Sequence, residues 1–276
     1  SNSFSGQSLI LALKPEIKKT EKSKKHKLFF ADSKSSKNIS KYIKSSEESY
    51  TLVSHSSKDE FQKISDSEYK ADLTKKENVE KVFKDLSLSD KGNVAIVFMN
   101  SHSGNIKTDD IEKLSEACCL SLLNIIQSVP SAGFKTIPSI EIVTHNSQFV
   151  REGDNLKGLL YSSLWGLGKV IEMEHPEFKC RMTDIDSMED IKELINEINS
   201  DPEERFVAFR DGRRFVSRLQ RSVNSFTDND SLFRTDETGS YLITGGLSGL
   251  GILTAKFLAS KGAKHLVLTG RSDITE

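Results

Sequence analysis

One stretch constrains the chain more than any other: Thr244-Gly245-Gly246-Leu247-Ser248-Gly249-Leu250-Gly251. It follows the apolar run Tyr241 to Thr244, which reads as a strand, and opens Leu250 to Ser260, which reads as a helix. Lys264 to Thr269 then reads as a second strand. Glycines crowded between a strand and a helix allow a sharp turn and leave backbone N–H groups open at the helix N-terminus, the arrangement a dinucleotide's pyrophosphate requires. Gly245 permits the turn out of the strand, Gly249 lets phosphates come close, and Gly251 lets the helix pack on the sheet. Two other glycine motifs fail. A nucleotide-hydrolase phosphate loop needs Lys and then Ser or Thr after its last glycine, where this chain has Ile252-Leu253. A GxSxG nucleophile elbow lacks its final glycine, because Leu250 stands there. The competing reading is a merely structural turn, and the flanking strand, helix and strand favour nucleotide binding.

The end of the second strand indicates which dinucleotide. An acidic residue there would bind the ribose hydroxyls of NAD, whereas this chain has Thr269-Gly270-Arg271-Ser272. A guanidinium with a hydroxyl suits a 2′-phosphate, so NADPH is the expected cofactor.

Upstream, strands and helices alternate. Strands are read at Lys27 to Ala31, Thr51 to Val53, Val94 to Met99, Ile140 to Thr144 and Cys180 to Ile185. Helices are read around Ile39 to Ile43, from Thr74 (with Glu77 at capping-box spacing), along the Ile111, Leu114, Cys118, Leu122, Ile125 and Val129 stripe, over Leu156 to Met173, and after Ser187 with Asp190. Asp32 to Asn38 reads as a loop. Phe206 to Phe209 and Phe215 to Leu219 flank the hairpin turn Asp211-Gly212. The fold class is α/β, with doubly wound, Rossmann-like parallel sheets. Residues 1–26 form an N-terminal strand (Leu9 to Leu13) and a lysine-rich segment read as a solvated linker. Residues 27–221 form a first unit, 222–239 a polar linker, and 240–276 the start of a second unit. The first unit has Asp32-Ser33-Lys34-Ser35-Ser36-Lys37 where a phosphate cradle would need glycine, so it is expected to be structural.

Composition removes several classes. A net charge of -1 gives no basic excess for nucleic acid, and no apolar run approaches the roughly 18 residues of a membrane span. Cys118, Cys119 and Cys180 have no CxxC spacing, so neither a disulfide framework nor a metal site is expected and a reducing cytoplasm fits. His175, between a helix and Pro176, reads as a cap or packing residue, and Trp165 as core.

The run Leu164 to Ile171 (LWGLGKVI), with Glu174-His175-Pro176, Met182 to Asp186, Arg210 to Leu219, the glycine fingerprint and Leu268 to Ser272, resembles the ketoreductase region of a modular type I polyketide synthase, or of the similar fatty acid synthases. The likeness is specific from about residue 156 and follows element order before that. It implies a structural subdomain without cofactor, followed by the opening of a catalytic subdomain of the short-chain dehydrogenase type. It also implies reduction of a β-ketoacyl thioester on an acyl carrier protein, with neighbouring synthase domains as partners. The family's Ser–Tyr–Lys set has tyrosine four residues before lysine. Positions four after Tyr42, Tyr50, Tyr69, Tyr161 and Tyr241 hold Ser46, Ser54, Leu73, Trp165 and Gly245. No catalytic residue is therefore assigned. The chain is expected to be a fragment that is inactive alone, with a non-catalytic scaffold or docking domain as the alternative.

Overall fold

The computed structural model describes residues 25–43, 49–57, 61–88, 91–100, 108–188, 191–200, 204–218 and 235–271. The strand expected at Leu9 to Leu13, most of the lysine-rich segment, the greater part of the 222–239 linker, Asp190, Leu219 and Ser272 lie outside them. The chain divides into two compact units, residues 1–220 and 221–276.

The first unit is built on β1 (His26–Ala31), α1 (Ser33–Ile43), β2 (Tyr50–His55), β3 (Gln62–Lys63), β4 (Glu68–Ala71), α2 (Lys76–Asp85) and β5 (Val94–Asn100). α3 (Thr108–Ser128), β6 (Ser139–His145), α4 (Ser162–Glu174), β7 (Arg181–Ile185), α5 (Ile191–Asn199), β8 (Phe206–Arg210) and β9 (Arg213–Val216) complete it. Among the described residues its sheet runs β3-β4-β2-β1-β5-β6-β7-β8-β9. Pairing is parallel except at the two edges, β3 with β4 and β8 with β9.

Strand alternation feeds two cores. Leu28 and Phe30 of β1, Ile96 and Phe98 of β5 and Ile142 of β6 pack with α2, α3 and α4. Phe29 and Ala31, Val97 and Met99, and Val143 pack on the other face with α1 and α5. Strands apolar at every position are what burial on both faces demands. The doubly wound expectation holds.

Several local expectations are corrected. α1 begins at Ser33, not near Ile39, because the Asp32 carboxylate accepts from the Lys34 amide (2.8 Å) and the Ser35 amide (2.9 Å). That is an N-cap holding a first turn with little apolar content. Thr74 does not cap α2. Its amide and hydroxyl donate to Asp72 (3.0 and 2.6 Å), and the helix starts at Lys76 without a side-chain cap. β3 and β4 have no counterpart among the expected strands; β4 is short and polar, its strand nature visible only in the alternation of buried Tyr69 and Ala71 with exposed Lys70. The helix read over Leu156 to Met173 is a 3-10 turn at Leu159–Tyr161 followed by α4. On the α3 stripe Leu122, Ile125 and Val129 are buried, whereas Ile111 is exposed and Leu114 and Cys118 are half-buried. The hairpin forms at Asp211-Gly212, both at positive φ (49° and 68°), with β9 ending at Val216.

The second unit consists of β10 (Ser240–Thr244), α6 (Gly249–Ser260) and β11 (His265–Thr269), with β10 and β11 parallel and Thr244 opposite Thr269. Of α6, Ala255 and Leu258 are buried, while Leu250 is 81% and Leu253 60% exposed. No helix among the described residues is long and apolar enough to cross a membrane.

Candidate functional site

The glycine run turns β10 into α6. Gly245 adopts φ +66° immediately after the strand, and Gly249 adopts φ +49° at the helix start; both lie in the left-handed region that side chains resist. A Cβ at Gly251 would stand 2.1 Å from the Gly245 carbonyl oxygen, so the first turn of α6 crosses the loop at a distance no other residue allows. Gly246 donates its amide to the Thr269 carbonyl (2.9 Å) and lies against Leu268, which ties the loop to β11.

Ser248 is the N-cap of α6 in an extended conformation, and its side chain makes no cap hydrogen bond; the Gly251 amide bonds the Ser248 carbonyl instead (3.0 Å). A helix end with glycines around it and no side-chain oxygen over its amides is an open position for an anion. The residues present therefore fit a dinucleotide's pyrophosphate. Thr244 closes β10, Leu247 packs over Gly270 at the end of β11, and Leu250 faces solvent. Arg271, the residue after Gly270, is exposed. Ser272 lies outside the described residues. Sequence reasoning gives Gly270 no role; a Cβ there would stand 2.9 Å from Leu247 Cδ1, so the loop packs against it closely.

The matching junction of the first unit, β1 to α1, has no such opening. The Asp32 carboxylate already occupies the amides of the first turn, and the Ser35 hydroxyl also donates to it (2.7 Å). The crowding expected from the absence of glycine is thus a specific cap.

The segments carrying the resemblance around Trp165, Met182 to Asp186 and Arg210 meet in one buried network at the carboxyl ends of β6, β7 and β8. Arg210, 1% exposed, donates to the carboxylates of Asp184 (2.7 Å) and Asp154 (3.1 Å) and to the carbonyls of Gln148 and Phe209 (both 2.8 Å). Asp184 also accepts from Thr144 (2.7 Å) and Ser147 (2.9 Å), and Thr144 accepts from the Trp165 indole (2.9 Å). Burial pushes the Asp154 carboxyl up, but the Val150 amide and the Arg210 guanidinium outweigh it and hold the group below the usual range. Every charge here is paired inside the protein, so the cluster is a structural latch on the 146–158 loop. Trp165 adds stacking on Phe206. His175 ends α4, rests on Phe178 and pairs with Glu177. Burial raises the Cys118 thiol to about 12 and the Cys180 thiol further still, so both remain protonated at neutral pH.

Residues 27–201 match the family described as beta-ketoacyl synthase-like, N-terminal, and residues 239–276 match the KR domain. The chain is 30% identical over 186 residues to a phenolphthiocerol/phthiocerol polyketide synthase of Mycobacterium tuberculosis, covering 66% of this chain and 10% of that synthase. It is 38% identical over 146 residues to a PKS-NRPS hybrid synthetase of Aspergillus candidus, covering 49% and 6%. The chain thus spans about a tenth or less of the length of these curated relatives. In fold it is similar to an N-terminal ketoreductase from the macrolactin assembly line (TM-score 0.63, 21% identity, 92% of this chain and 50% of that one). It is likewise similar to the first ketoreductase of the tylosin PKS (TM-score 0.63, 17% identity, 89% and 49%). A family match over most of the first unit, followed by a KR-domain match that begins at the glycine loop's strand, fixes the affiliation: the chain belongs to the beta-ketoacyl synthase-like, N-terminal family, and its residues 239–276 match the KR domain.

Proposed function

We propose that this chain supplies the structural half and the cofactor-holding entry of an NADPH-dependent ketoreductase, which reduces a β-ketoacyl thioester on an acyl carrier protein to its β-hydroxyacyl product. The observation that supports the reading is the uncapped N-terminus of α6 behind its glycine loop, with Leu247 of that loop against Gly270, the residue before Arg271. NADPH, when bound, supplies hydride to the β-carbon. The chain's own residues bind and orient it. Thr244 to Gly251 hold the pyrophosphate with backbone amides, and Arg271 with Ser272 takes the 2′-phosphate. The proton for the developing alkoxide needs a positioned acid. No tyrosine of these 276 residues precedes a lysine by four, so we expect no turnover from the chain alone. Carrier protein and neighbouring synthase domains are the partners.

A second reading, a non-catalytic scaffold or docking domain of the synthase, draws on the first unit, whose helix junction is closed by Asp32. Fluorescence titration of the chain with NADPH and with NADH separates the two. Saturable NADPH binding, weakened about tenfold or more by Arg271→Ala while weak NADH binding is unchanged, supports the cofactor entry. No binding by the folded chain favours the scaffold.

A further inference from the structure

The first unit has a second recess that the glycine loop does not explain. One face of α1 and the outer strands β2, β4 and β3 enclose a cleft of about 790 Å³ near the carboxyl ends of β1 and β2. That volume is within the range of small-molecule sites, roughly 300–1,000 Å³. Ligands of parallel sheets settle outside strand carboxyl ends.

Its lining is mainly polar, with Leu52 and Ile64 as the apolar members. α1 buries Ile39 and Ile43 against the sheet, and its other stripe, Ser33, Ser36, Lys37 and Ser40, borders the cleft at helical spacing. The end of β2 contributes Ser54 and Ser56, and β4 contributes Lys70 and Glu68. Neither Lys37 nor Lys70 forms an ion pair among the described residues, and Glu68 is the one acid of the lining. His55 accepts the Leu73 amide at Nδ1 (3.3 Å), which leaves its Nε2–H as a donor, and burial lowers its pKa so the ring is neutral at pH 7. The cleft therefore offers two ammonium groups against one carboxylate, set among hydroxyls that bind in either sense. Ser33 of the first turn of α1 borders it, but the amides of that turn are taken by the Asp32 carboxylate, which excludes a pyrophosphate from the dinucleotide position.

We infer that this cleft binds a phosphate monoester of a polyol, a sugar phosphate, with its phosphate held by Lys37 and Lys70 and its hydroxyls by the serines. The ligand is small and polar, and the site is built from residues of the first unit alone.

Isothermal titration of the full chain with glucose 6-phosphate, glucose and inorganic phosphate tests this. The expected result is saturable binding of glucose 6-phosphate that exceeds both other probes. Lys37→Gln with Lys70→Gln should weaken it about tenfold or more, as loss of two charge-assisted contacts predicts. Gly251→Ala, in the other unit, should leave it unchanged. Both lysines are exposed, so the double variant keeps its fold, and its thermal melt verifies that. Absence of saturable binding, or affinity unaltered by the double substitution, overturns the site. Equal affinity for inorganic phosphate overturns the polyol assignment.

Discussion

The chain builds the same junction twice, a parallel strand turning into a helix, and ends it in opposite ways. At β1 to α1 an aspartate carboxylate sits on the first-turn amides. At β10 to α6 the loop glycines clear the approach and the N-cap serine leaves the helix end without a side-chain acceptor. A helix N-terminus attracts negative charge in either case. In the first unit the chain provides that charge itself, and the helix gains stability and loses a binding position. In the second no side chain caps the helix end, and on the proposed reading the charge comes from the cofactor. On that reading the difference between a structural and a binding version of one fold rests on very few residues.

The largest expected effect separates stability from binding. Arg210→Ala leaves Asp184 and Asp154 buried beside an empty place, and should cost the first unit about 3–5 kcal/mol in chemical denaturation, with NADPH affinity of the second unit unchanged. Loss of that affinity by a still-folded variant would break the proposed division of labour. Gly251→Ala places a methyl on the Gly245 carbonyl and should weaken NADPH binding roughly a hundredfold, about 2.7 kcal/mol, in the fluorescence titration, while denaturation of the first unit stays as it was.

A pH effect of similar size belongs to the first unit alone. His26 is buried against Ser49 and Thr51. Desolvation, helped by Lys91 and Lys27, lowers its pKa from 6.5 to about 4. The unfolded chain therefore binds a proton that the folded chain refuses between those values. Stability should fall as pH drops from about 6.5 to about 4, by up to about 3 kcal/mol at roughly 1.4 kcal/mol per pH unit. His55 and His145 add in the same direction. Denaturation midpoints across that window should slope less steeply in His26→Gln. The smallest effect sharpens the comparison most directly. Asp32→Ala should cost about 1 kcal/mol of first-unit stability and create no NADPH site, because no glycine accompanies the freed amides.

Much of this is legible in order along the chain. Val94 to Met99 had to be a strand buried on both faces, Asp211-Gly212 had to be a hairpin turn, and the glycine spacing marks the β10–α6 loop, because each pattern is satisfied within a few residues. Where sequence reading misses, the deciding partner is elsewhere. Thr74 and Glu77 have capping-box spacing, but Asp72 takes the Thr74 hydroxyl. Asp32 to Asn38 looks like a loop because its apolar content is low, and one carboxylate turns it into a helix. β4 exists because β2 offers it a parallel edge, which its own four residues do not announce.

Sequence by itself determined the alternation of strands and helices, the place of the open helix end, and the absence of a tyrosine four residues before a lysine. These depend on periodicity, backbone freedom and identity, all local properties. Only the tertiary structure decided that Arg210 joins Asp154 and Asp184 across 56 and 26 residues of chain, that Leu247 packs against Gly270, and that α1, β2 and β4 border a mainly polar cleft. Such features come from side chains distant in sequence that packing forces together, and no local pattern encodes which of them will meet.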